Sequence, residues 1–66
     1  MPDKRSNKGE VIIEMRPVGS VVRVAAVDVK SGTEVIVFGP VTASQRALEE
    51  LAIAKLRRRL STDRGG

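Results

Sequence analysis

The sequence predicts an α+β fold, in which a three-stranded antiparallel meander is followed by one amphipathic C-terminal helix (β-β-β-α). Two apolar runs rich in valine flank a glycine-containing loop over residues 21–37, and an alternating run precedes them at 10–15. Residues 43–60 contain neither glycine nor proline and are rich in Ala, Leu, Glu and Arg. The first pattern is typical of paired strands and the second is typical of a helix.

The first strand is predicted over Glu10–Met15, where side chains alternate between two faces. Residues 16–19, Arg-Pro-Val-Gly, follow it with proline at the second position and glycine at the fourth. This is the chemistry of a type I turn. The second strand is therefore expected to begin near Ser20.

Residues 21–37, VVRVAAVDVKSGTEVIV, form the predicted hairpin. A three-residue loop over 30–32, with Gly32 in the left-handed conformation, is favoured because it places Asp28 and Glu34 at the tip, where water screens them. A two-residue Ser31-Gly32 loop gives the rival register. In the favoured register one face carries Val21, Arg23, Ala25, Val27, Val29, Thr33, Val35 and Val37. The other face carries Val22, Val24, Ala26, Asp28, Glu34, Ile36 and Phe38.

Both predicted hairpin faces are mostly apolar, whereas an antiparallel sheet with one solvated face alternates apolar and polar residues. The chain has 66 residues and no cysteine, and domains of this size bury only about 60% of the surface that their unfolded chain exposes. The sequence therefore predicts a homodimer, in which a second copy completes a sheet face or a strand edge. Exchange of an element across the short Gly39-Pro40 hinge is an alternative form of the same dimer.

The helix is predicted to follow a capping box at 42–45, with Thr42 as the N-cap and Gln45 reaching back, and to run to Leu60. Its apolar stripe is wider than one sheet face needs. The stripe comprises Ala47, Leu48, Leu51, Ala52, Leu56 and Leu60. The dimer contact predicted from the sheet and helix together comprises Val22, Val24, Ala26, Ile36, Phe38, Leu48, Leu51, Leu56 and Leu60.

Residues 10–60 are expected to form a single domain between two disordered tails at 1–9 and 61–66, which are polar and lack periodicity. The N-terminal segment lacks the apolar core of a signal peptide, and no stretch approaches the roughly 20 apolar residues that span a bilayer. A cytoplasmic bacterial protein with no membrane partner is therefore expected.

The side chains that most enzymes use are nearly all missing. The chain has no His, Cys, Tyr or Trp, so the usual neutral-pH base, the thiolate nucleophile and the imidazole metal ligand are absent. Asp28 and Glu34 could approach each other across the hairpin, but two solvated carboxylates near a turn are the favoured interpretation. We therefore expect no enzymatic activity and no metal or cofactor, and the residues identify no small-molecule ligand.

A cluster of cations near the helix end is the one feature with a specific functional interpretation. Lys55, Arg57, Arg58 and Arg59 could neutralise nucleic-acid phosphates without reading sequence, and the chain carries a net charge of +4. Against this, Phe38 is the chain's single aromatic residue, whereas single-strand binders stack bases on several. Stabilisation of the helix end by cations is the favoured interpretation, and nucleic-acid binding is the alternative.

The segment GPVTASQRALEELAIAKLRRRL, preceded by VAAVDVKSGTEVIVFGP, resembles a family of very short alphaproteobacterial proteins of unknown function. The resemblance covers about Gly9 to Leu60. It implies no established activity, cofactor or catalytic residue for any position of this chain. The function predicted from the residues is that of a small non-catalytic interaction or scaffold module that acts as a homodimer.

Overall fold

The computed structural model describes residues 10–65, which form one antiparallel sheet and one helix. The strands are β1 (Val11–Val18), β2 (Val21–Asp28) and β3 (Glu34–Pro40), and β2 lies in the centre of the sheet. The helix α1 (Gln45–Gly65) follows them. The predicted β-β-β-α order and the antiparallel meander are confirmed.

The turn between β1 and β2 lies later in the chain than predicted. Val18 pairs with Val21, so Gly19-Ser20 is a two-residue loop. Gly19 has a φ of +63°, as the first central residue of a type II′ turn requires. The predicted type I turn over 16–19 is therefore wrong. Pro17 is tolerated inside β1 because β1 is an edge strand, where a proline nitrogen can face the open edge of the sheet.

The loop between β2 and β3 contains four residues, Val29 to Gly32. The Asp28 N–H donates to the Thr33 carbonyl at 2.8 Å, and the Gly32 N–H donates to the Asp28 carbonyl at 2.8 Å. Gly32 has a φ of +79°, which confirms its predicted left-handed conformation. The predicted three-residue loop and the rival two-residue loop are both wrong.

The side chain of Asp28 explains the longer loop. Its carboxylate accepts hydrogen bonds from the backbone N–H of Ser31 at 2.9 Å and from the Ser31 hydroxyl at 2.6 Å. Aspartate closes turns in this way by replacing a backbone acceptor with its own oxygen. The loop therefore closes at Asp28, one residue earlier than the favoured prediction placed it.

This change of register by one residue places each β3 side chain on the face opposite to the predicted one, because side chains alternate along a strand. Ile36 and Phe38 were predicted to share a face with Val22, Val24 and Ala26, and this grouping is wrong. Two other β3 residues join that face instead, namely Val35 and Val37.

Helix α1 covers the face that carries the β3 valines, which we call the covered face. The buried core between sheet and helix comprises Val24, Ala26, Val35, Leu48, Ala52 and Leu56. Apolar residues of β1 border this core, including Val11, Ile13 and Met15. The helix therefore buries one face of the sheet and contributes nothing to the other.

The helix begins at Gln45 with Ser44 as its N-cap, so the predicted capping box at Thr42 is wrong. The Ala47 N–H donates to the Ser44 hydroxyl oxygen at 3.1 Å. A turn precedes the cap, in which the Ala43 N–H donates to the Pro40 carbonyl at 3.0 Å. The helix continues to Gly65, past the predicted end at Leu60, so the expected tail at 61–66 is helical through Gly65. The other expected tail, residues 1–9, lies outside the described residues.

Gly39 allows the helix to approach β3. Gly39 is buried, and a Cβ atom added to it would overlap the side chain of Leu48. Leu48 is itself a buried member of the core, so it has little room to move away. The missing side chain at residue 39 is therefore a packing requirement.

We expect Gly39→Ala to lower the free energy of unfolding by about 1–3 kcal/mol, because the added methyl overpacks the core against Leu48. Gly32→Asn is the control. A Cβ atom added at Gly32 would have no neighbouring atom within 4 Å, and asparagine tolerates the left-handed conformation, so the cost there should be less than about 1 kcal/mol. Urea denaturation measures both, and equal losses in the two variants would contradict this packing role.

Candidate interaction surface

The face of the sheet opposite the helix, which we call the open face, is uncovered within the described part of the chain. It consists of four rows, each with one residue from β1, β2 and β3 in that order. The rows are Val18–Val21–Pro40, Arg16–Arg23–Phe38, Glu14–Ala25–Ile36 and Ile12–Val27–Glu34.

Large apolar side chains on the open face are exposed to solvent. Phe38 is 59% exposed, Ile12 is 50% exposed and Val18 is 49% exposed. Smaller apolar side chains lie between them, and Ala25 in the centre is only 3% exposed. A group of exposed apolar residues on one face of a small protein is typical of an interaction surface.

Four charged residues share the open face, namely Glu14, Arg16, Arg23 and Glu34. Their formal charges sum to zero, whereas the whole chain carries +4. Arg16 and Arg23 lie directly opposite each other on β1 and β2, and like charges in that position destabilise a sheet. Among the described residues none of the four has an ion-pair partner. Both arginines are therefore available to a carboxylate from outside the chain.

The two edges of the sheet are less suited to binding another strand. β1 contains Pro17, and β3 ends with Gly39-Pro40. The Lys55 ammonium donates to the Ile36 carbonyl of β3 at 2.9 Å, so the helix already uses one acceptor of this edge strand. Proline and lysine at an edge oppose the addition of a strand. The open face is therefore the candidate interaction surface.

Comparison with known proteins identifies the family of this chain. A family model described as Domain of unknown function (DUF6898) matches residues 8–63. The chain belongs to this family. No curated protein matches the DUF6898 chain, and no solved structure matches it. The resemblance to a family of unknown function is confirmed, while the alphaproteobacterial origin and the cytoplasmic location stay predictions.

The structure divides the nine residues that were predicted to form a dimer contact. Four are buried in the chain's own core, namely Val24, Ala26, Leu48 and Leu56. Val22 and Leu60 pack against that core from its margin. The three that remain accessible are Ile36 and Phe38 on the open face and Leu51 on the helix.

Sequence reasoning missed the contribution of β1 to the open face. Ile12 and Val18 are exposed there beside Phe38, but the predicted first strand ended at Met15. Aspartate favours turns because its carboxylate can accept hydrogen bonds from the backbone that follows it. At Asp28 this preference was the available signal for a loop that closes one residue earlier than predicted.

Of the four cations of the alternative nucleic-acid site, Lys55, Arg58 and Arg59 lie within about 100° of the helix circumference, whereas Arg57 lies on the other side. At about 100° per residue, Arg57 lies about 160° around the helix from both Lys55 and Arg59. Lys55 contacts β3, whereas Arg57 lines a cleft beside Asp28. Nucleic-acid binding through this cluster stays a prediction.

The cleft beside Arg57 has a volume of about 370 Å³. It lies between the start of β1, the end of β2 and the helix, and its lining consists of Val11, Asp28, Ile53, Leu56, Arg57 and Leu60. Both hydrogen bonds from Ser31 reach the same oxygen of Asp28, Oδ2, so the described lining presents one acidic and one basic group, Asp28 and Arg57.

The two carboxylates that were predicted to approach each other lie on opposite faces. Asp28 belongs to the covered face and Glu34 to the open face. The hydrogen bond from the Ser31 hydroxyl lowers the pKa of Asp28 below its ordinary value of 3.8, and the hydrogen bond from the Ser31 N–H lowers it further. Partial burial opposes this shift, and the positive charge of Lys30 adds to it. Asp28 thus accepts the hydrogen bonds of the loop as a carboxylate.

No group of three or more His, Cys, Asp or Glu residues in the described chain could hold a metal ion. No described helix is long and apolar enough to cross a membrane.

We expect the DUF6898 fold to lose stability as the pH falls through the ordinary aspartate pKa of 3.8 and below it. The lowered pKa of Asp28 means that the folded chain binds fewer protons than the unfolded chain in this range, so protonation favours unfolding. Asp28→Asn should reduce this dependence, and so should Ser31→Ala, which removes the hydroxyl donor. Denaturant unfolding at a series of pH values measures it. The same acid sensitivity in both variants as in the wild type would refute the role of Asp28.

Proposed function

We propose that this DUF6898 protein is a non-catalytic interaction module that acts as a homodimer through its open face. The observation that carries the proposal is the exposure of Phe38, Ile12 and Val18 on one side of a three-stranded sheet. Burying such a surface is favourable because it removes apolar area from water. The helix of the same chain supplies no cover, since it packs on the other face.

The charges of the open face favour a second copy as the partner. A two-fold dimer brings the same patch of both copies together, so the patch must be complementary to itself. The two glutamates and two arginines of the open face meet this condition, because the arginines of one copy can pair with the glutamates of the other. A nucleic acid suits the face less well, since Glu14 and Glu34 would lie beside its phosphates.

Contact between two open faces would cover the exposed apolar side chains, whereas exchange of the helix would not. An exchanged helix would pack on the covered face of the partner, through the same core residues that it contacts in its own chain. The open face would then stay as exposed as before. Pairing of the open faces leaves the core intact and covers the exposed side chains.

The proposed module binds and does not catalyse. The chain contains neither histidine nor cysteine. Its buried carboxylate, Asp28, is held by two hydrogen bonds from Ser31. The residues of the open face instead combine apolar side chains with charges of both signs, which is typical of a protein contact.

The size of the open face sets the expected strength of the dimer. Strand spacing and rise give a face of about 14 by 20 Å, which is well below the roughly 800 Å² per partner of a standard protein interface. We therefore expect a dissociation constant of about 1–100 µM, typical of a weak and reversible contact.

Sedimentation equilibrium from about 1 to about 500 µM should show a monomer–dimer equilibrium for the wild-type chain. Phe38→Asp should be monomeric throughout, because it replaces the most exposed apolar side chain of the open face with a charge that the contact would have to bury. Leu51→Asp is the matched control. Leu51 is 50% exposed on the helix, so the same substitution there should leave the dimer unchanged.

Circular dichroism establishes that both variants remain folded. A wild-type chain that is monomeric at every concentration would contradict the proposal. So would a dimer that is lost in Leu51→Asp and kept in Phe38→Asp, since that result places the contact on the helix. A monomer that binds a single-stranded oligonucleotide through Phe38 would assign the open face to nucleic acid instead.

A further inference from the structure

The charges on the open face are ordered along the strands. Both arginines, Arg16 and Arg23, lie in the second row. Glu14 lies in the third row and Glu34 in the fourth. Successive rows are about 6.8 Å apart, which is two residues of strand rise. One half of the face is therefore basic and the other half is acidic.

We infer that two copies meet about a two-fold axis that runs perpendicular to the strands, between the Arg23 row and the Ala25 row. This inference rests on the proposed function, since it describes how the homodimer is arranged. The axis places each β1 over the partner's β1 in the opposite direction. It brings the second row over the partner's third row and the first row over the partner's fourth.

This arrangement pairs every basic position with an acidic or small one. Arg16 lies over the partner's Glu14, which forms an ion pair twice in the dimer by symmetry. Arg23 lies over the partner's Ala25, whose small side chain leaves room for the guanidinium to turn toward the partner's Glu14. The two arginines that lack an ion-pair partner among the described residues thus both reach a carboxylate.

The apolar residues match under the same axis. Phe38 lies over the partner's Ile36, and Val21 lies over the partner's Val27. Val18 lies over the partner's Ile12, so the three most exposed apolar side chains of the face all gain an apolar neighbour. Glu34 lies at the rim, over the partner's Pro40, where water can solvate it.

Other two-fold arrangements that keep at least three rows in contact bring like charges together. An axis through the second row places Arg16 on the partner's Arg16, and an axis through the third row places Glu14 on the partner's Glu14. A two-fold axis parallel to the strands places the second row of one copy over the second row of the other. The arginines of both copies then meet. Like charges in contact across an interface weaken it strongly. The order of the charges therefore selects the axis between the second and third rows.

Charge reversal tests this axis. Arg16→Glu alone would face the partner's Glu14, and Glu14→Arg alone would face the partner's Arg16. Each variant should raise the dissociation constant about 10- to 100-fold. An equimolar mixture of the two should recover a dimer close to wild-type strength, because residue 16 of each copy then faces an opposite charge. The double variant Arg16→Glu/Glu14→Arg should recover it within one protein.

Matched controls carry the same charge changes on the helix, where Arg58 and Glu50 are exposed. Arg58→Glu and Glu50→Arg should dimerise like the wild type, alone and mixed. If the Arg16 and Glu14 variants also dimerise like the wild type, or if their mixture stays monomeric, the inferred axis is wrong. Loss of the dimer in Phe38→Asp would still support the homodimer in that case, whereas a monomeric wild type would overturn both proposals.

Discussion

The hydrogen bonds from Ser31 to the Asp28 carboxylate close the β2–β3 loop, and the two faces of the sheet depend on that closure. Because side chains alternate along a strand, the residue at which the loop closes determines which alternate side chains of β3 face the helix. Closure at Asp28 turns Val35 toward Leu48 and Leu56. It turns Phe38 to the opposite side, beside Arg23.

The open face follows from the same register and from the single helix of the described residues. One helix buries a single face of a three-stranded sheet, and Gly39 lets it do so at close range. The described part of the chain has no second helix for the face that carries Phe38. That face bears apolar residues together with equal numbers of both charges. The described residues, 10–65, thus leave one of the two faces of the sheet without cover from their own helix.

The order of elements followed from the sequence because propensity and periodicity are local properties. The helix after Pro40 and the left-handed Gly32 are examples. The register did not follow, because a hairpin with two apolar faces has no polar face to distinguish one pairing from the next. Side-chain hydrogen bonds of Asp28 and Ser44 decided the loop and the helix start. Ile36 and Phe38 lie outside the core, as a contact residue must, but their predicted neighbours were wrong because the register was wrong.

Isotope-filtered nuclear Overhauser spectroscopy on a mixture of labelled and unlabelled chains tests the central claim, that a second copy covers the open face. Phe38 is the chain's single aromatic residue, so its ring protons are unambiguous probes. We predict contacts between this ring and the Ile36 methyl groups of the other copy. Intermolecular contacts confined to core residues such as Leu48 and Val24 would indicate an exchanged helix. That result, or no intermolecular contact at dimer-forming concentrations, would contradict the account.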